Sequence, residues 1–151
     1  MKGNTDQMEE EKKEYRPTVA FDAEGAPEPL SLANAVCHVL DRRSAEEVEL
    51  LPVGKEAGLA DYFVICTAKS TTHLRALADE VEFRLGLSGI DALRREGRGD
   101  GQSWNVIDYG DVIVHIFTAE ARRFYDLDRL FPEPGRIEIA PDTDGEEEDN
   151  K

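Results

Sequence analysis

The sequence is short of cysteine, tryptophan, basic charge and long apolar runs, and each shortage excludes something. Its two cysteines, Cys37 and Cys66, cannot make the disulfide framework on which small secreted domains rely. Each sits in an apolar stretch with no Cys or His at metal-ligand spacing apart from His38, so both read as small core residues. No apolar run approaches the roughly 20 residues that a spanning helix needs. Met1 to Tyr15 is almost all polar and lacks the apolar segment of a secretory leader. A cytoplasmic protein without membrane contact is the expectation. Basic residues number 18 against 33 acidic ones, a formal net charge of −15. Such a chain repels a polyanion, which argues against a long nucleic-acid groove and leaves a basic protein open as a partner.

What is present suits one domain with a real core: 151 residues, of which 40% are hydrophobic. The acidity is unevenly placed. Residues 1–29 carry net −4 and residues 141–151 net −5, leaving −6 on residues 30–140. The first stretch holds Glu9-Glu-Glu-Lys-Lys-Glu14 followed by Pro17, Gly25, Pro27 and Pro29; the second runs from Asp142 to Asp149. Both compositions predict disordered acidic tails around an ordered domain over 30–140.

Within that domain, Ser31 reads as a helix N-cap, with Leu32, Ala35, Val36, Val39 and Leu40 at helical spacing behind it. Glu47 to Val53 reads as a strand, near an edge because of Pro52. Tyr62 to Thr67 is a continuous apolar run, the mark of a strand covered on both faces. Ser70 caps a second helix carrying Leu74, Leu77, Ala78, Val81 and Leu85 inward, ended by Gly86 and Gly89. Ala92 to Glu96 is a short strand and Gly97 to Ser103 a glycine-rich loop. Ser103 to Asp108 and Asp111 to Phe117 form a hairpin around a Tyr109-Gly110 turn. Ala119 to Phe131 is helical. The order α-β-β-α-β-β-β-α predicts a single-domain α/β fold with a mixed sheet of about five strands and flanking helices.

The hairpin assigns residues to faces, because side chains alternate with period two. A Tyr109-Gly110 turn pairs Trp104 with His115, Val106 with Ile113 and Asp108 with Asp111. One face then carries Trp104, Val106, Asp108, Asp111, Ile113, His115 and Phe117. The other carries Asn105, Ile107, Val112, Val114 and Ile116 and reads as core. An indole, an imidazole and two carboxylates on one face make a candidate recognition surface.

Catalytic patterns are weak. A Cys66–His115 pair across adjacent strands would join a nucleophile to a base, but Cys66 lies in a run that looks buried, where a thiol is inert. Asp61, Asp108 and Asp111 could meet near strand ends and hold Mg²⁺ for nucleotidyl transfer. That chemistry calls for a glycine turn after a strand and two carboxylates at i and i+2. Here the turn is Thr67-Ala-Lys-Ser70 and the carboxylates are Asp108-x-x-Asp111, split across a turn. Arg94-Arg95-x-x-Arg98 and Arg122-Arg123 could meet phosphates, yet the aromatic interleaving of an RNA module is missing.

Several irregularly spaced blocks carry a family resemblance: Ala60 to Ser70, His73, Ala78-Asp79, Glu96-Gly97, Trp104, Asp108-Tyr-Gly-Asp-Val-Ile-Val-His-Ile-Phe117, Arg122-Arg-Phe-Tyr125 and Leu127 to Phe131. In these the chain resembles the ribosomal silencing factor family, also called RsfS or Iojap. It departs at Ala68, where the family usually has Gly, and at Phe131, where it usually has Trp. The resemblance implies a nucleotidyltransferase-like fold without the catalytic motif, and so no enzyme and no cofactor. It implies a factor that binds the large ribosomal subunit through ribosomal protein L fourteen, blocks joining of the small subunit and represses translation. On that reading Trp104 is the apolar anchor, and Asp108, Asp111 and Glu96 meet basic side chains. Tyr109, His115 and Phe117 complete the surface, and Arg94 fixes Glu96 or reaches rRNA phosphate in a minor contact. The alternatives are a metal-dependent nucleotidyltransferase using Asp61, Asp108 and Asp111, and a homodimer of the free protein through the same face.

Overall fold

Two helices cover one face of a five-stranded mixed sheet, and a short third helix covers part of the other. The structure, a computed structural model, describes residues 15–54, 58, 60–97, 99, 101–130 and 135–142. The elements run α1 (Pro29–Arg42), β1 (Glu46–Pro52), β2 (Tyr62–Ala68), α2 (Thr71–Leu87), β3 (Arg94–Glu96), β4 (Trp104–Asp108), β5 (Val112–Thr118) and α3 (Ala119–Tyr125). A 3₁₀ turn over Leu127–Leu130 follows. Sheet order is β1-β2-β5-β4-β3, with β2 and β5 parallel and every other pair antiparallel. The α/β architecture expected from the element order is the one observed.

The main core lies between the sheet and α1 and α2. Leu32, Val36, Val39 and Leu40 of α1 and Leu74, Leu77, Val81 and Leu85 of α2 pack on Val64, Cys66, Ile107, Val112, Val114 and Ile116. Both cysteines are free and buried here, and burial pushes both thiols up, away from reactivity. From Phe63 to Ala68 every residue of β2 is buried, as its unbroken apolar run requires when both faces are covered. Ala68, the departure from glycine, is buried at the end of β2, and its φ is not positive, so its methyl adds no backbone strain.

The start of α1 departs from its local signal. Ser31 is not the cap of α1. The helix begins at Pro29 behind Glu28, which makes no side-chain cap, and Ser31 instead accepts the Ala20 N–H at 2.8 Å. That bond belongs to a larger correction. From Tyr15 onward the stretch assigned to the N-terminal tail is laid on the helices. Arg84 donates to the Tyr15 carbonyl, Ser88 donates to that of Pro17, and the Tyr15 ring lies 3.5 Å beneath the Arg42 guanidinium. At the other end Ile137 bridges to Leu50 of β1 and Asp142 pairs with Arg42 at 2.9 Å. Acidic composition outweighs a few anchors such as Tyr15 in a sequence reading, but in the fold those anchors find partners. Residues 1–14, residues 143–151 and Phe131 lie outside the described residues. No helix among the described residues is long and apolar enough to cross a membrane.

Candidate functional site: the uncovered face of the sheet

The face opposite α1 and α2 is covered at one end only. There Leu51, Phe63, Ile65 and Phe117 pack with Ala60 and with Ala121 of α3, and Leu127 closes over them. Toward β4 and β3 the sheet is open. The hairpin register pairs Trp104 with Phe117, Val106 with His115 and Asp108 with Ile113. This lies two residues from the expected register, because the turn is Gly110-Asp111, closed by the Tyr109 N–H donating to Val112 O at 2.9 Å. Gly110 has φ +90°, as a primed hairpin turn demands at its first central position. An even shift leaves every residue on its face. Strand β3 joins the same surface: Arg94 stands beside Asp108 and Glu96 beside Val106.

The predicted site residues divide between this surface and its support. Trp104 is half-buried, stacked on Phe117 at a centroid distance of 4.8 Å and against Tyr125 at 4.6 Å. Its indole N–H donates to His115 Nδ1 at 3.2 Å. His115 and Phe117 are buried and stand behind the surface rather than in it. His115 is wedged beside Phe63 at 4.6 Å. Burial alone holds its pKa down to about 4, and Nε2, which carries the ring proton of the neutral form, has no hydrogen-bond partner among the described residues. Trp104 therefore sits on a neutral, apolar bed with its one polar atom already used, which fixes the ring.

Tyr109 is a correction. It lies on the other face, in the main core, and burial with Glu82 and Asp91 nearby pushes its hydroxyl up. Asp108 receives the Gly110 N–H at 2.8 Å and the Arg94 Nε at 3.3 Å, so it braces the turn. Asp111 is exposed at the hairpin tip, and its carbonyl accepts from the N–H groups of Asp61 and Tyr62. Glu96 is exposed, and the Arg94 side chain is 74% exposed.

The enzymatic alternatives lose their geometry. No group of three or more His, Cys, Asp or Glu side chains among the described residues is placed to hold a metal, so Asp61, Asp108 and Asp111 do not converge. Cys66 is beside Ile116 in the parallel register and His115 beside Ile65, which puts the two on opposite faces. Two of the candidate phosphate-binding arginines are internal. Arg95 is held by Asp79, Glu82 and Asn105, and Arg122 by Asp128, Glu47 and Thr67. Arg98 lies outside the described residues.

Sequence reasoning missed an exposed apolar ridge beside Trp104. Phe124 is 79% exposed and Tyr125 49%. Phe124 meets Tyr125 edge-on at 5.0 Å, so ridge and indole form one strip. No local signal marks the ridge: Phe124 and Tyr125 stand three and four residues after Ala121, the spacing of a buried stripe, so the pattern alone turns them inward.

Residues 26–151 match the family model described as ribosomal silencing factor during starvation. The chain belongs to the ribosomal silencing factor family. It is 33% identical over 102 residues to the ribosomal silencing factor of Bacillus subtilis, covering 68% of this chain and 83% of that one. It is 28% identical over 96 residues to a mouse protein named for mitochondrial assembly of the ribosomal large subunit, covering 62% of this chain and 42% of that one. A crystal structure of a Chromobacterium violaceum protein aligns with TM-score 0.65 at 26% identity, covering 69% of this chain and 86% of that one. The family is a regulatory, non-enzymatic one, and membership gives the chain a ribosome-associated silencing role.

Proposed function

We propose that the protein binds the large ribosomal subunit through ribosomal protein L fourteen, using the open face around Trp104, and thereby blocks docking of the small subunit. The observation that carries this reading is the pre-set indole. Trp104 is the only tryptophan of the chain, its N–H is satisfied internally, and the exposed Phe124–Tyr125 ridge lies beside it, while Glu96 and Asp108 share its sheet face and Asp111 stands at the far hairpin tip. A rigid aromatic anchor with a charged rim is how protein interfaces concentrate binding energy. Carboxylates on a chain of net charge −15 favour a basic protein partner and speed the encounter at low salt. To Arg94, whose side chain is 74% exposed beside Asp108, we assign a minor contact with rRNA phosphate at the edge of the interface. The mouse relative's name points to the same subunit. The blockade is steric: an occupant of a joining surface excludes the other subunit without chemistry, so only affinity and placement matter.

Sucrose-gradient sedimentation with separated subunits tests this. The expected result is comigration with the large subunit alone and fewer joined particles when both subunits are present. Absence of comigration at low salt overturns it.

A further inference from the structure

Helix α3 carries the ridge, yet its seven residues bury only Ala121 and Arg122. So short a helix is unstable by itself, and its apolar hold is small: Ala121 is buried and half-exposed Tyr125 lies against Trp104. The rest of the hold is polar. The Arg122 guanidinium donates through Nε to Asp128 Oδ2 at 3.1 Å. Its Nη1 donates to the Glu47 carbonyl at 2.6 Å and to Thr67 Oγ1 at 2.9 Å. Its Nη2 faces Asp128 Oδ2 at 3.1 Å and Glu49 Oε2 at 3.6 Å. Arg136 closes the far side by pairing with Glu49 and donating to the Asp128 carbonyl.

The receiving backbone is shaped for this fork. Strand β1 bulges between Glu46 and Glu49, and Glu47 stands at φ +48°, a left-handed conformation costly for a residue with a Cβ. The bulge presents the Glu47 carbonyl to Nη1. A planar guanidinium with five donors serves the β1 bulge, the β2 threonine and the 3₁₀ aspartate at once, which a lysine ammonium cannot do from one position.

We infer that Arg122 is a positioning residue of the docking surface: it makes no contact with the ribosomal partner, but it fixes the angle at which α3 sets Phe124 and Tyr125 beside Trp104. This rests on the proposed docking face. The main core lies on the opposite side of the sheet, so loss of the Arg122 node frees α3 while leaving the domain folded.

The test compares Arg122→Met and Arg122→Lys with the wild-type full chain by three readouts: thermal unfolding, acrylamide quenching of Trp104 emission, and comigration with the large subunit. Expected is a cooperative transition in every variant, a Trp104 more accessible to acrylamide because Tyr125 has left it, and affinity lower by about tenfold for methionine, with lysine rescuing only in part. Should Arg122→Met fail to fold, Asp128→Asn and Thr67→Val each remove one arm of the same fork, and smaller losses in the same two readouts are expected. Unchanged quenching, or affinity within twofold of wild type in a folded variant, overturns the inference. The quenching needs no ribosome, so it decides the positioning role even if wild type does not comigrate, a result that would instead overturn the docking reading.

Discussion

Acid should weaken this domain through His115, and the size of the effect follows from its surroundings. The imidazole is 7% exposed among Phe63, Trp104 and Phe117, and burial lowers its pKa from 6.5 to about 4. Above pH 6.5 the ring is neutral both folded and unfolded. Between 6.5 and 4 the unfolded chain takes up a proton that the folded one refuses, so stability falls as pH falls and levels off below 4. The shift corresponds to about 3 kcal/mol between pH 7 and pH 4 from this one group. Protonation at Nδ1 also removes the acceptor of the Trp104 N–H, so indole emission should report the change directly. Urea unfolding of wild type and His115→Gln at a series of pH values isolates the contribution, because the other titrating groups are common to both. Wild type should lose about 3 kcal/mol more than the variant on going from pH 7 to pH 4. Parallel curves would refute the buried, neutral assignment and with it the account of how Trp104 is held.

Three further outcomes are expected. Trp104→Ala should weaken large-subunit binding by about 2 kcal/mol, measured by titration against a fluorescent ribosome conjugate, while its circular dichroism stays that of the wild type. Gly97→Ala should cost about 2 kcal/mol in urea unfolding, since Gly97 has φ +89° and an added Cβ would meet the Trp104 carbonyl at 2.5 Å, a backbone atom on the strand to which Gly97 is bonded through Asn105. Binding should weaken steadily as sodium chloride is raised, through slower association more than faster release, which stopped-flow mixing can separate.

The fold was legible wherever a pattern is local. The apolar run at Tyr62–Thr67 needs two covers, the three- and four-residue steps from Leu74 to Leu85 need one, and Ser70 caps its helix by accepting the His73 N–H at 3.0 Å. The hairpin faces survived a wrong turn because the error was even. What escaped depends on contacts distant in sequence. Nothing near Arg95 or Arg122 says that a guanidinium will be enclosed, since their partners come from other elements. Nothing near Tyr109 says that its ring turns toward α2. Ser31 resembles a cap until Pro29, better suited to a first helical turn, is seen to start the helix ahead of it. The aromatic ridge escaped for the converse reason: Phe124 and Tyr125 stand three and four residues after buried Ala121, at the spacing of an inward stripe, and the fold nevertheless leaves both exposed.

Light scattering of the joining reaction shows whether a large subunit occupied by the protein is closed to the small one. Large subunits preincubated with the protein should give a scattering increase that shrinks in proportion to the fraction occupied, and Trp104→Ala should restore it at the same concentration. Full joining on large subunits shown to be saturated with the protein would rule out the steric block.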